Sequence, residues 1–413
     1  MPVESPIGLR SVVMITADRS IDRRILLQAS SLRDAGWEVT IIAMPADSAV
    51  DDPDWVVRLD GGVNHVSRRE RYVVQLYKWL RKYVPMNGRL MATFKAATWR
   101  HLLDQEAFFI KLFLPVVLNY KPDVFMAHDL PMLAVGQAAA QQTGAKLVYD
   151  SHELYCEQEF HEDVKDKWSS VERKHIGSCD AVITVNPSIA QELQKRYELP
   201  PVHVVYNADS YSGLTERTHY FHKLYNLDHQ DKVLLFQGGV TVGRNIENLV
   251  YSMGLVSNET IHLVILGDGA LVGSLRRGIS SKFSSRVHFH AAVPQARLQE
   301  LTAAADAGII PYQATCLNNY YCTPNKLFEF IACGIPILGS DLPEIRRLIT
   351  SEKIGCVADL SSPEKIATAI EMLFADESML SEWRINLQHA ATRINWEVEG
   401  AKVVEIFNRL YHE

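Results

Sequence analysis

A chain of 413 residues with 47% hydrophobic and 22% charged residues has the make-up of a globular protein long enough for two cores. Its 42 Lys and Arg against 49 Asp and Glu give a formal charge of −7, which disfavours a general nucleic-acid binder, so any anion must be caught at a local site. The six cysteines show no Cys-x-x-Cys spacing, the pattern of reduced thiols rather than zinc ligands or disulfides, and no structural metal or other cofactor is expected.

Residues 1–10 lack a basic region followed by an apolar core, so no secretory signal or transit peptide is expected and the expected location is the cytoplasm. Short Val- and Ile-rich runs then alternate with helical periodicities, the rhythm of parallel sheets covered by helices on both faces. Strands are expected at 11–16, 38–43, 124–127, 146–149, 181–185 and 203–206, with helices such as 21–35, 130–142 and 188–197 between them. The apolar run 108–118 contains Lys111 and Pro115, is too short to span a bilayer, and reads as a buried helix. A polar stretch with aromatic and histidine residues, 207–231, breaks the rhythm as a linker. Further strands follow at 233–237, 261–266, 287–290, 308–311, 335–339 and 356–358. The expectation is an α/β protein of two doubly wound parallel-sheet domains, 1–206 and 207–392, binding ligands at strand carboxyl ends in the cleft the domains face across.

Several segments carry chemistry, in chain order. Asp22, Arg23 and Arg24 fall in the first turn of the first helix, where charges are commonly just solvated. Residues 68–100 hold nine Lys and Arg against the single acid Glu70, interleaved with Tyr72, Tyr77, Trp79, Tyr83, Phe94 and Trp99. Such a stretch suits an anionic membrane surface and equally an ordinary solvated face. Two strands end in ionisable clusters, His128-Asp129 and Asp150-Ser151-His152-Glu153, at the edge where ligands bind. Asp129 has two readings, a site residue or the cap of the helix starting at Leu130. Asp150 or Glu153 is placed to orient His152.

The turn after the strand at 233–237 carries Gly238, Gly239, Gly243 and Arg244, so backbone and a guanidinium can approach a phosphate together. Gly267-Asp268-Gly269 forms a second glycine turn. His288 and His290 alternate with apolar residues and mark the outer face of a strand rather than a metal pair. Most informative is the run from Thr323 to Pro336. Thr323 suits an N-cap and Pro324 the first helical position, leaving the N–H groups of Asn325, Lys326 and Leu327 to point at a phosphate. Lys326 adds a positive charge, and Glu329 lies on the same side of the helix, placed to grip ribose hydroxyls. Gly334 and Pro336 stop the helix.

Together these segments resemble the family-4 glycosyltransferases, retaining enzymes of the GT-B fold with two Rossmann-like domains, over nearly the whole chain. The resemblance implies that Glu329 is the ribose-binding second glutamate of a Glu-x7-Glu pair, whose first position is held here by Tyr321. Of the two cations that clamp the donor diphosphate, one position is occupied by Gly239 and the other by Arg244, with Lys326 as compensation. It implies that 287–293, through Ala292, reads the base by its backbone, with a UDP-sugar favoured over a GDP-sugar. His152 matches a histidine that approaches the donor sugar, and His128-Asp129 a nearby His-acidic pair. Asp22, Arg23 and Arg24 match an entrance that meets the acceptor, and a final helix within 393–413 crosses back to the first domain. The implied partners are a nucleotide-diphosphate sugar donor and a glycan or lipid-linked acceptor in surface polysaccharide or glycoconjugate synthesis, with 68–100 as a peripheral membrane contact and no nucleic acid. A nucleotide-sugar epimerase or hydrolase, or a catalytically weak partner subunit, are the competing readings.

Overall fold

The computed structural model describes residues 10–46, 51–59, 104–211, 213 and 217–412. The basic stretch 68–100 lies outside the described residues. Two compact units form, one from the described residues up to Val185 with Ala190–Val205 and those from Gly400 onward, the other from Asn186–Ile189 and Tyr206–Glu399.

The first unit is built on seven parallel strands, β1 (Ser11–Thr16), β2 (Glu38–Ala43), β3 (Val56–Arg58), β4 (Val124–His128), β5 (Lys146–Ser151), β6 (Ala181–Thr184) and β7 (His203–Val204). Their spatial order is β3-β2-β1-β4-β5-β6-β7. Every residue of β4 is buried, as a parallel strand covered on both faces requires. The order reverses between β1 and β4, where Val12 pairs with Val124, so the crevice of this sheet opens beyond Thr16 and His128. β3 has only three residues and was not expected from the pattern. Helix Gln105–Val117 runs through Pro115 and buries only the face of Phe109, Phe113 and Val117, with Pro115 on the exposed side. The last helix, Trp396–His412, is fixed to this unit by its far half: Trp37 meets the ring edges of Phe407 and Tyr411 at 5.5 and 5.9 Å.

The second unit repeats the plan with β8 (Lys232–Gln237), β9 (Ile261–Leu266), β10 (Val287–His290), β11 (Ala307–Ile310), β12 (Ile337–Ser340) and β13 (Gly355–Ala358). Their order, β10-β9-β8-β11-β12-β13, is that of dinucleotide-binding sheets, and it reverses between β8 and β11. The stretch read as a linker contains a short helix, Tyr220–Tyr225, with Phe221 fully buried in the core of this unit. Helix Asn325–Cys333 lies beside the switch point and ends at Gly334 in the left-handed conformation, as its sequence required. All six cysteines are free thiols.

Candidate functional site

At the switch point of the first unit, β4 and β5 deliver an ion network. Asp150 is fully buried near the end of β5, and Arg24 forks its carboxylate, Nη2 to Oδ1 at 2.8 Å and Nε to Oδ2 at 3.0 Å. Gln28, one turn further along the same helix, donates to Oδ2 at 2.9 Å. The rings of His152 and His128 approach that oxygen at 3.0 and 3.3 Å. Burial opposes a charge on Asp150, and the Arg24 guanidinium with the two histidines overcomes it, holding the carboxyl well below the usual range.

His152 is held from its other side by Asp129, with Nδ1 3.3 Å from Oδ2. Burial lowers its tendency to charge, but the Asp129 and Asp150 carboxylates raise it to about 9, so it is an imidazolium at neutral pH. His128 is lowered instead, because its full burial outweighs Asp150. The two histidines thus differ in charge within one cluster. Asp129 sits at φ 61° and ψ 161°, a strained backbone for a side chain with a Cβ, and burial pushes its carboxyl up to about 6 against the pull of His152. Its side chain does not cap the helix from Leu130; it accepts from the His152 N–H at 3.3 Å. His128, Asp150 and His152 offer ligand atoms within 4.8 Å of one another. A cation there would have to share Asp150 with the Arg24 fork, so the donor set suits an ion network better than a metal cage.

The second unit presents a different chemistry at its own switch point. Lys326, 5% exposed, has its Nζ buried with no hydrogen-bond acceptor. The ammonium stands 3.9 Å above the Phe236 ring and 4.8 Å from that of Tyr312, beneath Gly238, whose added Cβ would lie 3.5 Å away. Arg244 stacks on Tyr312 at 4.4 Å. Burial, reinforced by repulsion from Arg244, pushes Lys326 down to about 7. The N–H groups of Asn325 and Lys326 open the helix beside it, where no intrahelical acceptor exists. Two basic side chains beside a helix start, one of them lacking any acceptor, are an arrangement that would suit an anion of high charge. Glu329, half-buried one turn further, accepts from Gln237 Nε2.

The two glycine turns are interlocked. Gly238 N–H donates to the Leu266 carbonyl and Val240 N–H to that of Asp268, each at 2.9 Å. A Cβ on Gly267 would fall 1.9 Å from the Gly238 oxygen, and one on Gly269 2.2 Å from that of Val240. These glycines are therefore required by the neighbouring loop, which they hold against Lys326. Ala292 is exposed just beyond β10. His290 meets the Tyr220 hydroxyl at 3.0 Å, and His288 stacks on Tyr225 at 4.2 Å.

Several expectations are corrected. Pro324, not Thr323, is the N-cap, because its ψ of 142° is extended and the helix begins only at Asn325; the Thr323 hydroxyl accepts from Asn186 Nδ2 at 3.3 Å instead. The Leu327 N–H bonds to the Pro324 carbonyl at 2.9 Å and so turns inward. Arg24 is 1% exposed and committed to Asp150, which removes it from any acceptor entrance. Asp22 caps the first helix by accepting from the Arg24 N–H at 2.7 Å. Arg23 is half-buried. The structure brings His128, Asp129 and His152 together in one cluster and Gly238, Arg244, Lys326 and Glu329 around another. Tyr312, Phe236 and Gln28 escaped the sequence reading. Gln28 was findable, since Arg24, Ile25, Gln28, Ala29 and Leu32 share one helical face, whereas the aromatic pair carries no motif.

Comparison with known proteins bears on both units. Residues 21–208 match the family described as Glycosyl transferase 4-like domain, and residues 231–376 the one described as Glycosyl transferases group 1. The D-inositol 3-phosphate glycosyltransferase of Xylanimonas cellulosilytica is 22% identical over 256 residues, 57% of this chain and 58% of that protein. Across the curated relatives the matches span 35% to 58% of their own lengths, about half. Sucrose-phosphate synthase from Thermosynechococcus elongatus superposes with a TM-score of 0.72 at 17% identity, over 98% of this chain and 99% of that one. HepE from Anabaena, solved in complex with UDP, gives 0.69 at 12% identity over 97% and 100%. At these identities the structural likeness is one of fold.

Proposed function

Because this chain belongs to the family-4 glycosyltransferases and has their GT-B fold, we propose that it moves a sugar from a nucleotide-diphosphate sugar to a glycan or lipid-linked acceptor with retention of configuration. The observation that carries this reading is the buried Lys326 ammonium without an acceptor, set between a helix start and Arg244 at the switch point of the second sheet. A diphosphate supplies what that ammonium lacks, and Glu329 on the same helix is placed for the ribose. UDP is the first nucleotide to try, in keeping with the UDP held by HepE.

The chemistry follows from charge. As the bond between the sugar's anomeric carbon and the diphosphate oxygen breaks, negative charge grows on the leaving group, where Lys326, Arg244 and the amides of Asn325 and Lys326 stabilise it. The acceptor oxygen bonds to the anomeric carbon on the same face, and its proton passes to the departing phosphate oxygen. Within the first unit, His152 holds a positive charge between the Asp129 and Asp150 carboxylates.

A thermal-shift panel of UDP, GDP and their sugars tests the donor half, since a ligand at 100 times its Kd stabilises the folded protein by about 2.7 kcal/mol. No stabilisation by any of them would overturn the reading. Transfer to glycan acceptors then tests the rest: a donor that binds and never turns over would leave a partner subunit, the role to which Tyr321 in place of a glutamate points.

A further inference from the structure

We propose that Gln237 is a positioning residue that gives the site its preference for ribose over deoxyribose, by holding the Glu329 carboxylate in one orientation. This rests on the reading of Glu329 as the group that grips the ribose hydroxyls.

Three elements converge on this contact. Gln237 closes β8 and is 1% exposed. Its Nε2 donates to Glu329 Oε2 on helix Asn325–Cys333, and its Oε1 lies 2.9 Å from the Thr302 hydroxyl, fully buried at the end of helix Gln295–Thr302. That hydroxyl also lies 2.7 Å from the Leu298 carbonyl. A primary amide suits this place because one end donates and the other accepts. The Glu329 carboxylate only accepts, so it takes the NH2 end of the amide and leaves the oxygen end to the Thr302 hydroxyl.

The consequence for specificity is physical. Glu329 is a long side chain at a half-buried position, and without the Gln237 amide it would reach more rotamers. A carboxylate pinned at one oxygen meets a vicinal diol as a fixed acceptor. When the ligand lacks the 2′-hydroxyl, a pinned carboxylate loses a partner it cannot replace, whereas a loose one turns to water and loses little. Discrimination between ribose and deoxyribose therefore depends on Gln237, although Gln237 itself touches no ligand.

The test uses the full-length protein and titration calorimetry with UDP and 2′-deoxy-UDP, and with GDP and 2′-deoxy-GDP. Wild type is expected to favour the ribonucleotide by about tenfold or more, the worth of one hydrogen bond to a charged group. Gln237→Leu should bring the ratio of the two Kd values toward one, as should Glu329→Ala. Thr302→Val, which keeps the volume of the core, should lower the ratio part of the way and serves if Gln237→Leu folds poorly. A ratio unchanged in Gln237→Leu and Thr302→Val, or equal weakening of both nucleotides, overturns the proposal, as does a wild type that binds without preferring ribose. A wild type that binds neither pair overturns the donor-site reading instead.

Discussion

Arg24 and Asp150 form a two-point ion pair in which neither side chain is more than 1% exposed. Removing the cation strands a buried carboxylate, and breaking such pairs costs about 3–5 kcal/mol. Arg24→Ala should therefore lower the stability of the first unit by that order in urea denaturation, while Asp22→Ala, which removes only a cap, costs about 1 kcal/mol. Because the folded carboxyl of Asp150 lies well below 3.8, its contribution is present above that pH and is lost as the solution is acidified further. An Arg24→Ala protein as stable as wild type would contradict the network.

His152 provides the opposite pH signature. Its folded value of about 9 lies above the ordinary 6.5, so its contribution is full below pH 6.5 and disappears as pH rises toward 9. In proton NMR the His152 ring should titrate near 9 and that of His128 below 6.5. Asp129→Asn should move His152 down; an unmoved resonance would show that the carboxylate does not govern its charge.

Lys326 makes anion binding depend on pH. It is faced by Arg244 from the turn after β8, by Glu329 on its own helix and by Cys322, with Tyr312 and Phe236 below. With the free ammonium near 7, a diphosphate that needs the charged form must bring a proton with it above that pH. UDP affinity should fall by up to about tenfold per pH unit from 7.5 to 9, a range above the phosphate's own titration near ~6. Calorimetry at pH 8 in buffers of different ionisation enthalpy should register proton uptake, and Lys326→Arg should abolish it.

If Lys326 and Arg244 act on charge that develops during transfer, replacing either with Ala should lower kcat/KM by ~10²-fold or more. The measurement is steady-state transfer with the donor identified by thermal shift. Near-wild-type turnover in both variants would remove them from the reaction.

The interlocked turns predict a contrast between neighbouring glycines. Gly267→Ala places a methyl 1.9 Å from a carbonyl oxygen and should destabilise by about 1–3 kcal/mol or more and weaken nucleotide binding. Gly239→Ala meets nothing closer than the Thr241 methyl at 4.0 Å and should be tolerated. Equal melting temperatures for the two variants would contradict the packing.

Much of the architecture was legible because parallel strands buried on both faces announce themselves as unbroken apolar runs. β1, β2, β9 and β10 fall at the residues their composition indicated. β3 did not, since three residues carry no periodicity. In the second unit, the cluster of Lys326 and Glu329 could be read from helical spacing alone. The shift of the cap from Thr323 could not, because it lies in the backbone, where Pro324 keeps an extended ψ of 142° ahead of the helix. Arg24 was misjudged for a related reason: a first-turn arginine looks solvated until the buried Asp150 is brought to it by a strand more than a hundred residues later.

An ammonium that waits without an acceptor has already surrendered its water, so the ligand with most charge to offer gains most from meeting it. In the transfer proposed above, the released nucleoside diphosphate would end in a free phosphate, where the donor carries a sugar ester. The spent nucleotide should therefore sit more firmly than the fresh one, and its departure should set the pace of turnover.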